Sequence, residues 1–368
     1  MTTAIDITAG SRASAHIPEL DGLRGIAALM VVFYHAFFWS MGKGGWPFFP
    51  RLVASVTQFG WLGVDLFFVL SGFLITGVLL KAKGKPRFLK LFYIRRALRI
   101  LPVYYGFLIV LELLSPSRNT SFVLVSFVYL SNAAPLLGVP MIYGPLWSLS
   151  VEEHFYLLWP WLVSAASTSA LTVISAGLIA VEPFVRLWGS KFGADIFGLS
   201  WFRFDGLAFG AIVALYVHSK HYSPLRLVGM AGISSLAATV LMSVWAPMGI
   251  LTRTRPLGAA LQSTCSGLVF CACVAVVVAC TGSRGTAFLR VNILRYCGDI
   301  SYCLYVVHLM VFFWWDDFMK WALPLWAGNR FEVICLRAVC CIGVSFGIAG
   351  LSRKYWELPF LHLKQHFE

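Results

Sequence analysis

The chain has 368 residues, 59% of them hydrophobic and only 12% charged, with a mean hydropathy of +0.79. This composition excludes an ordinary soluble domain and calls for a polytopic membrane protein. In a soluble protein the formal charge of +13 would suggest nucleic acid. Here the cations lie mainly in short loops between apolar runs, so membrane topology accounts for most of them, and no nucleic-acid partner is expected.

Met1–His16 is small and polar with no hydrophobic core before Gly25, so it does not read as a cleaved signal peptide. The sequence reads as one membrane domain over 1–368, with a polar tail at 1–19 and a second tail at 353–368. The first apolar run predicts a span over Gly25–Met41, followed by Trp61–Leu80, Ile100–Leu114 and Leu146–Ser164. Leu171–Trp188, Phe204–Val217 and Leu227–Trp245 continue the series, and Leu257–Thr281, Ser301–Trp321 and Val333–Leu351 complete it. The segment Phe122–Leu137 is apolar but broken by Asn132 and Pro135, and it reads as interfacial or re-entrant. The expected fold is therefore an all-α integral membrane bundle of about ten transmembrane helices.

Charge orients this bundle. The loop Lys81–Arg99 carries Lys81, Lys83, Lys85, Arg87, Lys90, Arg95, Arg96 and Arg99 and no acid, which makes it cytoplasmic by the positive-inside rule. Both termini then fall on the cytoplasmic side, as do Lys220 and Arg226, Arg284, Arg290 and Arg295, and the tail cations Arg353, Lys354 and Lys364. Arg253 and Arg255 fall outside and fit less well. The nine cysteines all lie in the second half, mostly within apolar runs and without metal-ligand spacing. No metal site and no disulfide framework is expected.

Topology places the polar residues in depth. Arg24 and His35 share the first span; eleven positions at about 100° each return to within roughly 20° of the same face, displaced by roughly 16 Å along the axis. His35 lies about 9 Å from the outer end of its span, Asp65 about 6 Å into the second, and Glu152 and Glu153 roughly 10 Å into the fourth. Asp205, beside Arg203, opens the sixth at the outer face. Acids and His35 thus gather on the outer half, whereas Arg24, Arg95, Arg96 and Arg99 gather on the inner side. A cytoplasmic guanidinium cluster suits a phosphate-bearing donor, and a histidine beside carboxylates suits general-base chemistry. Coenzyme A, with phosphates at one end and a thioester at the other, has the shape to join the two.

Each signal also has a plainer reading. The arginines serve equally as positive-inside anchors, and Arg24 as a snorkelling residue. Asp65 can cap its helix, Asp205 with Arg203 can be an interfacial ion pair, and His308 can be a satisfied packing histidine. A histidine in mid-span is harder to set aside, because ionisable groups in a bilayer mark function by default.

The order of several motifs carries a resemblance. Leu20-Asp-Gly-Leu-Arg-Gly-Ile-Ala-Ala-Leu29 with Tyr34-His35, the run from Trp61 to Ile75, Tyr93-Ile-Arg-Arg-Ala-Leu-Arg-Ile-Leu-Pro102, the run from Leu146 to Pro160 and Ile300–His308 together resemble the acyltransferase family 3 membrane proteins. The resemblance implies an O-acyltransferase of the cytoplasmic (inner) membrane that takes an acyl group, most often acetyl, from acyl-CoA to a hydroxyl of a surface or exported glycan. It matches Arg24 and His35 to the family's basic–ten residues–His motif, Arg96 and Arg99 to Arg-x-x-Arg, and Ser148 and Glu152 to Ser-x-x-x-Glu. His154 stands where the family often has Gln. Some members carry a fused extracytoplasmic domain, and the sequence here shows none.

The reading that combines both lines makes Arg24, Arg96 and Arg99 the holders of acetyl-CoA and His35 the base or transient acyl carrier. Asp65 or Glu152 orients the imidazole, with Ser148, Glu153, Arg203, Asp205 and His308 as further members. The acceptor is a polysaccharide or lipid-linked sugar, with a lipophilic metabolite such as a macrolide as the alternative. A multi-span transporter of sugars or acyl groups is the rival from another class. Against it stand the missing inverted repeat and the one-sided cation cluster.

Overall fold

The structure, a computed structural model, describes residues 16–42, 45–114, 116–246, 255–322 and 330–363. Most of the N-terminal tail, Arg253 and Lys364 lie outside the described residues. Every regular element among those described is helical. In chain order these are α1 (Pro18–Met41), α2 (Phe48–Ala82), α3 (Phe88–Leu114), α4 (Pro116–Phe127), α5 (Leu146–Ala165) and α6 (Thr168–Lys191). There follow α7 (Phe204–Val217), α8 (Pro224–Trp245), α9 (Pro256–Ala279), α10 (Asn292–Asp299), α11 (Ser301–Ala322) and α12 (Phe331–His362).

Each of the ten expected spans falls on a helix. Seven of the helices are long and apolar enough to cross a membrane, namely α1, α2, α3, α6, α8, α9 and α12; an eighth is reached if α10 and α11, bent by 76°, form one broken span. The two that fall short are the ones loaded with chemistry. Helix α7, which carries Asp205, has only 14 residues. Helix α5 has 20 residues, but Ser148, Ser150, Glu152, Glu153 and His154 lower its hydropathy. The segment Phe122–Leu137 is not a long helix: α4 ends at Phe127 and a 3₁₀ stretch occupies Ser131–Leu137.

The chain divides into two compact units interleaved in sequence. The first takes the chain up to Leu20, Asp65–Phe88 and His154–Val291; the second takes Asp21–Val64, Leu89–Glu153 and Asn292 onward. Within the first unit, α2 and α7 cross at glycines. A Cβ on Gly72 would stand 1.9 Å from the carbonyl oxygen of Leu207, and one on Gly210 would stand 1.9 Å from that of Val69. Only glycine at both positions lets the backbones meet, the usual device of helix pairs that have no hydrophobic drive in lipid.

The same unit buries an ion network. Arg186, fully buried, donates to Glu182 (3.1 Å), Asp205 (2.8 Å), Thr264 and the carbonyls of Phe202 (2.8 Å) and Ala260 (2.9 Å). Arg203 donates to Asp65 and Ser263, between the rings of Phe68 and Phe197. Buried charges are costly unless paired, and here each guanidinium is paired with a carboxylate and ties several helices.

In the second unit, α1 meets α10 and the 3₁₀ stretch Gln58–Leu62 of α2 at further glycines. A Cβ on Gly25 would come within 2.1 Å of the Leu294 carbonyl oxygen, one on Gly298 within 2.1 Å of that of Asp21, and one on Gly60 within 2.1 Å of that of Met30. These close crossings hold both faces of α1, the helix that carries Arg24 and His35.

Candidate active site

The geometry begins with a break in α1. At Tyr34–Phe38 the helix widens to a π turn, with the Trp39 N–H reaching back five residues to the Tyr34 carbonyl. Such insertions are uncommon and concentrate at functional sites. His35 lies on this turn, half-buried. Its Nδ1 sits 2.9 Å from the Val31 carbonyl oxygen and 3.2 Å from Nε2 of His308 on α11.

The partners fix both tautomers. His308 is fully buried, and its Nδ1 faces two carbonyls, Tyr305 at 2.8 Å and Leu304 at 3.2 Å. A carbonyl only accepts, so His308 Nδ1 carries the proton and its Nε2 holds a lone pair. That lone pair accepts from His35 Nδ1–H, which is shared with Val31. The remaining nitrogen of His35, Nε2, is therefore the unprotonated one, free to take a proton from a substrate. His308, weighed from sequence as a packing histidine, thus stands in hydrogen-bond contact with His35.

The turn that carries His308 is itself braced. Tyr143 donates to the Val306 carbonyl (2.7 Å) and accepts from the Met310 N–H (3.1 Å), so its hydroxyl is wedged into one helical hydrogen bond of α11. Ser148 donates to the Pro145 carbonyl (3.2 Å), and Tyr305 donates to Ser148 Oγ at 2.6 Å. Ser148 thus holds the ring that precedes His308 by one turn. Glu152 follows Ser148 by four residues, on the same helix face, and its charge acts on Tyr305. Glu153 lies within electrostatic reach of Arg96.

A second group is made of cations from α1, α3 and α12. Arg24 donates to Ser301 (3.0 Å), and Arg24, Arg96 and Arg353 all lie within electrostatic reach of Arg99, together with Glu357. Arg99 is exposed while it lies among this group, so its guanidinium can still meet a ligand. Sequence reading passed over Arg353 and Glu357, because Arg353 looked like one more tail cation. They are joined at 3.5 Å, on a second π turn over Arg353–Glu357.

The remaining expected residues belong to the first unit. Asp65 spends one oxygen on Arg203 and the other on Ser266 (2.5 Å). Arg203 and Asp205, neighbours in sequence, bond to different partners, Asp65 and Arg186. His154 bonds Ser200 at 2.6 Å. Among the described residues no group of three His, Cys, Asp or Glu is placed to hold a metal ion.

Comparison with known proteins identifies relatives of this chain. The chain is 28% identical to the peptidoglycan O-acetyltransferase OatA of Listeria monocytogenes over 94% of its own length and 56% of that protein. It is 37% identical to a candidate peptidoglycan O-acetyltransferase, YrhL, of Bacillus subtilis over 39% of this chain and 23% of the relative. It is 36% identical to a candidate O-acetyltransferase of Staphylococcus aureus over 39% of this chain and 24% of the relative. The chain thus spans at most about half the length of these relatives. No solved structure matches it. The family model described as an acyltransferase domain matches residues 17–350, across α1 to most of α12, and with the motifs at His35, Arg96 and Ser148 inside that range the chain belongs to acyltransferase family 3.

Proposed function

We propose that this multi-pass membrane O-acetyltransferase takes its acetyl group from cytoplasmic acetyl-CoA and delivers it to a hydroxyl of a cell-envelope glycan or its lipid-linked precursor. The observation that carries the reading is the His308–His35 alignment, which leaves His35 Nε2 as a base on the same helix as Arg24. The relatives named as peptidoglycan O-acetyltransferases support a glycan acceptor. The guanidinium groups of Arg24, Arg96 and Arg99 suit the donor's phosphates, since each offers a planar fork to phosphate oxygens.

The chemistry follows from the donor and acceptor atoms. His35 Nε2 takes the proton of the acceptor hydroxyl as its oxygen attacks the thioester carbonyl. The C–O bond forms, the C–S bond breaks, and the departing thiolate takes the proton back. Glu152, through Tyr305 and Ser148, steadies the turn that carries His308. The ten-helix topology with both termini in the cytoplasm, and the inner-membrane location, belong to the same proposal: they put the arginines on the side where acyl-CoA is found.

The test is transfer of radiolabelled acetyl from acetyl-CoA to muropeptide or oligosaccharide acceptors by the purified protein in proteoliposomes. Wild-type protein transfers label, whereas His35→Ala inserts normally and loses at least about a hundredfold in rate. Undiminished transfer by His35→Ala refutes the role of His35, and label taken from a donor without coenzyme A refutes the donor.

A further inference from the structure

Arg337 lies in the apolar run of α12, yet it is nearly buried, with 8% of its surface exposed. Its Nε and Nη2 grip both oxygens of Asp316 on α11, at 2.5 and 2.8 Å. Its third nitrogen, Nη1, donates to Ser40 Oγ on α1 at 2.8 Å. Ser40 in turn donates its own proton to the carbonyl oxygen of His35, at 3.1 Å. The donor and acceptor roles along this chain agree: Ser40 gives its one hydrogen to His35 and keeps lone pairs for Arg337.

The surroundings make the arrangement rigid. The guanidinium lies over the ring of Phe312, 4.5 Å from its centroid. Phe312 belongs to a cluster with Ala36, Val311, Ala338 and Cys341, all buried, which seats the π turn of α1 on α11 and α12. A guanidinium gripped at two nitrogens by one carboxylate has its third donor aimed, which a lysine ammonium cannot reproduce. The Ser40 hydroxyl receives that donor and relays it to the one carbonyl that His35 itself contributes to the π turn.

We propose that Arg337, aimed by Asp316, is a positioning residue for His35: through Ser40 it fixes the π turn and with it the direction of the imidazole. The proposal rests on the reading of His35 as the base. Nothing in the family motifs at Arg24, His35, Arg96, Arg99, Ser148 or Glu152 involves these three residues.

The experiment compares wild type, Ser40→Ala, Ser40→Thr, Arg337→Lys and His35→Ala, all purified, for acetyl-transfer kinetics and thermal unfolding. Ser40→Ala leaves the Arg337–Asp316 pair intact, so its unfolding temperature falls by no more than the loss of one hydrogen bond while kcat falls roughly tenfold or more, as losses of an orienting partner do. The donor KM stays within about twofold, because the lost contact is far along α1 from Arg24. Ser40→Thr keeps the hydroxyl and restores kcat to within about twofold of wild type. Arg337→Lys repeats the kcat loss. Wild-type kcat in Ser40→Ala overturns the proposal, as does a loss that Ser40→Thr fails to restore or that comes with an unfolding temperature lowered beyond the loss of that one bond. If Arg337→Lys does not fold, the serine pair decides alone. Full activity in His35→Ala overturns the reading of the base instead, so the two failures are told apart.

Discussion

Replacing His308 with leucine removes the acceptor of His35 Nδ1–H, together with the Nδ1–H that bonds the Tyr305 and Leu304 carbonyls. The Val31 carbonyl, at 2.9 Å, still holds that proton, so the tautomer is weakened and not lost. The imidazole gains freedom to turn about its ring bond, and the productive orientation of Nε2 becomes one of several. Loss of an orienting partner of this kind costs about ten- to a hundredfold in activity, or roughly 1.4–2.7 kcal/mol in the barrier. That is less than the loss from His35→Ala, because the base remains. The structural cost is small: the Leu304 and Tyr305 carbonyls stay within α11, and leucine fills a similar space. Donor KM stays level, since the arginines are untouched. His308→Gln offers an amide oxygen in place of Nε2 and recovers part of the rate. The assay is the initial rate of radiolabelled acetyl transfer at saturating acetyl-CoA, with unfolding temperature measured on the same preparations. Full kcat in His308→Leu shows that Val31 alone suffices and refutes the argument. A rate loss matched by a lowered unfolding temperature reduces His308 to packing.

The double variant Arg96→Lys, Arg99→Lys keeps the charge that orients the loop but loses the bidentate forks. It inserts normally and raises the donor KM; an unchanged KM in membrane assays makes these residues anchors only. Asp65→Asn leaves Arg203 buried without its charge partner and destabilises the protein by about 3–5 kcal/mol, seen as a lowered unfolding temperature and yield. Glu152→Gln instead lowers kcat in protein that folds normally, and the reverse pattern exchanges their roles. A single cysteine at Lys85, in a cysteine-free background, reacts with an impermeant maleimide only after cells are opened. Labelling in intact cells inverts the topology and with it the side on which Arg96 and Arg99 lie.

Helices are the part of this structure that sequence patterning reveals best, since each of the ten expected spans falls on one. The residues that share a face of one helix were equally legible: Arg24 with His35, and Ser148 with Glu152, follow from rise and turn alone. Partners on different helices were not. Asp65 was matched to His35 by depth, but depth carries no azimuth, and Asp65 is turned to Arg203 and Ser266. Arg186 drew no notice, because a cation near the end of an apolar helix reads as an anchor; in the structure it holds Glu182 and Asp205. His308 reads from sequence as a packing histidine, as one histidine in a buried helix is most often satisfied by its own backbone. It is so satisfied, at Nδ1, and that bond is what readies Nε2 for His35. The π turns at Tyr34–Phe38 and Arg353–Glu357 had no signal at all, since no residue pattern announces one extra residue in a turn.

The choice of a histidine to orient a histidine has a physical consequence. A carboxylate partner would stabilise a full imidazolium on His35, as in soluble hydrolases, at the cost of burying a net charge when the site is idle. A neutral imidazole orients His35 without that cost, which suits a site deep in a helix bundle. It also withholds a compensating anion when His35 takes the acceptor's proton. Arg337 on α12, linked to the His35 carbonyl through Ser40, is held by Asp316, so the pair brings no net charge. Positive charge arising on His35 must then be balanced by the negative charge arising on the thioester oxygen and sulfur. Proton removal and acyl transfer are thereby coupled, because neither charge is stable without the other in a medium of low dielectric. The proposed role of His35 as the base argues against a long-lived acyl-imidazole, because an acyl group on Nε2 occupies the nitrogen that takes the acceptor's proton. It favours passing the acetyl group directly from sulfur to the acceptor oxygen, with His35 moving the proton between them.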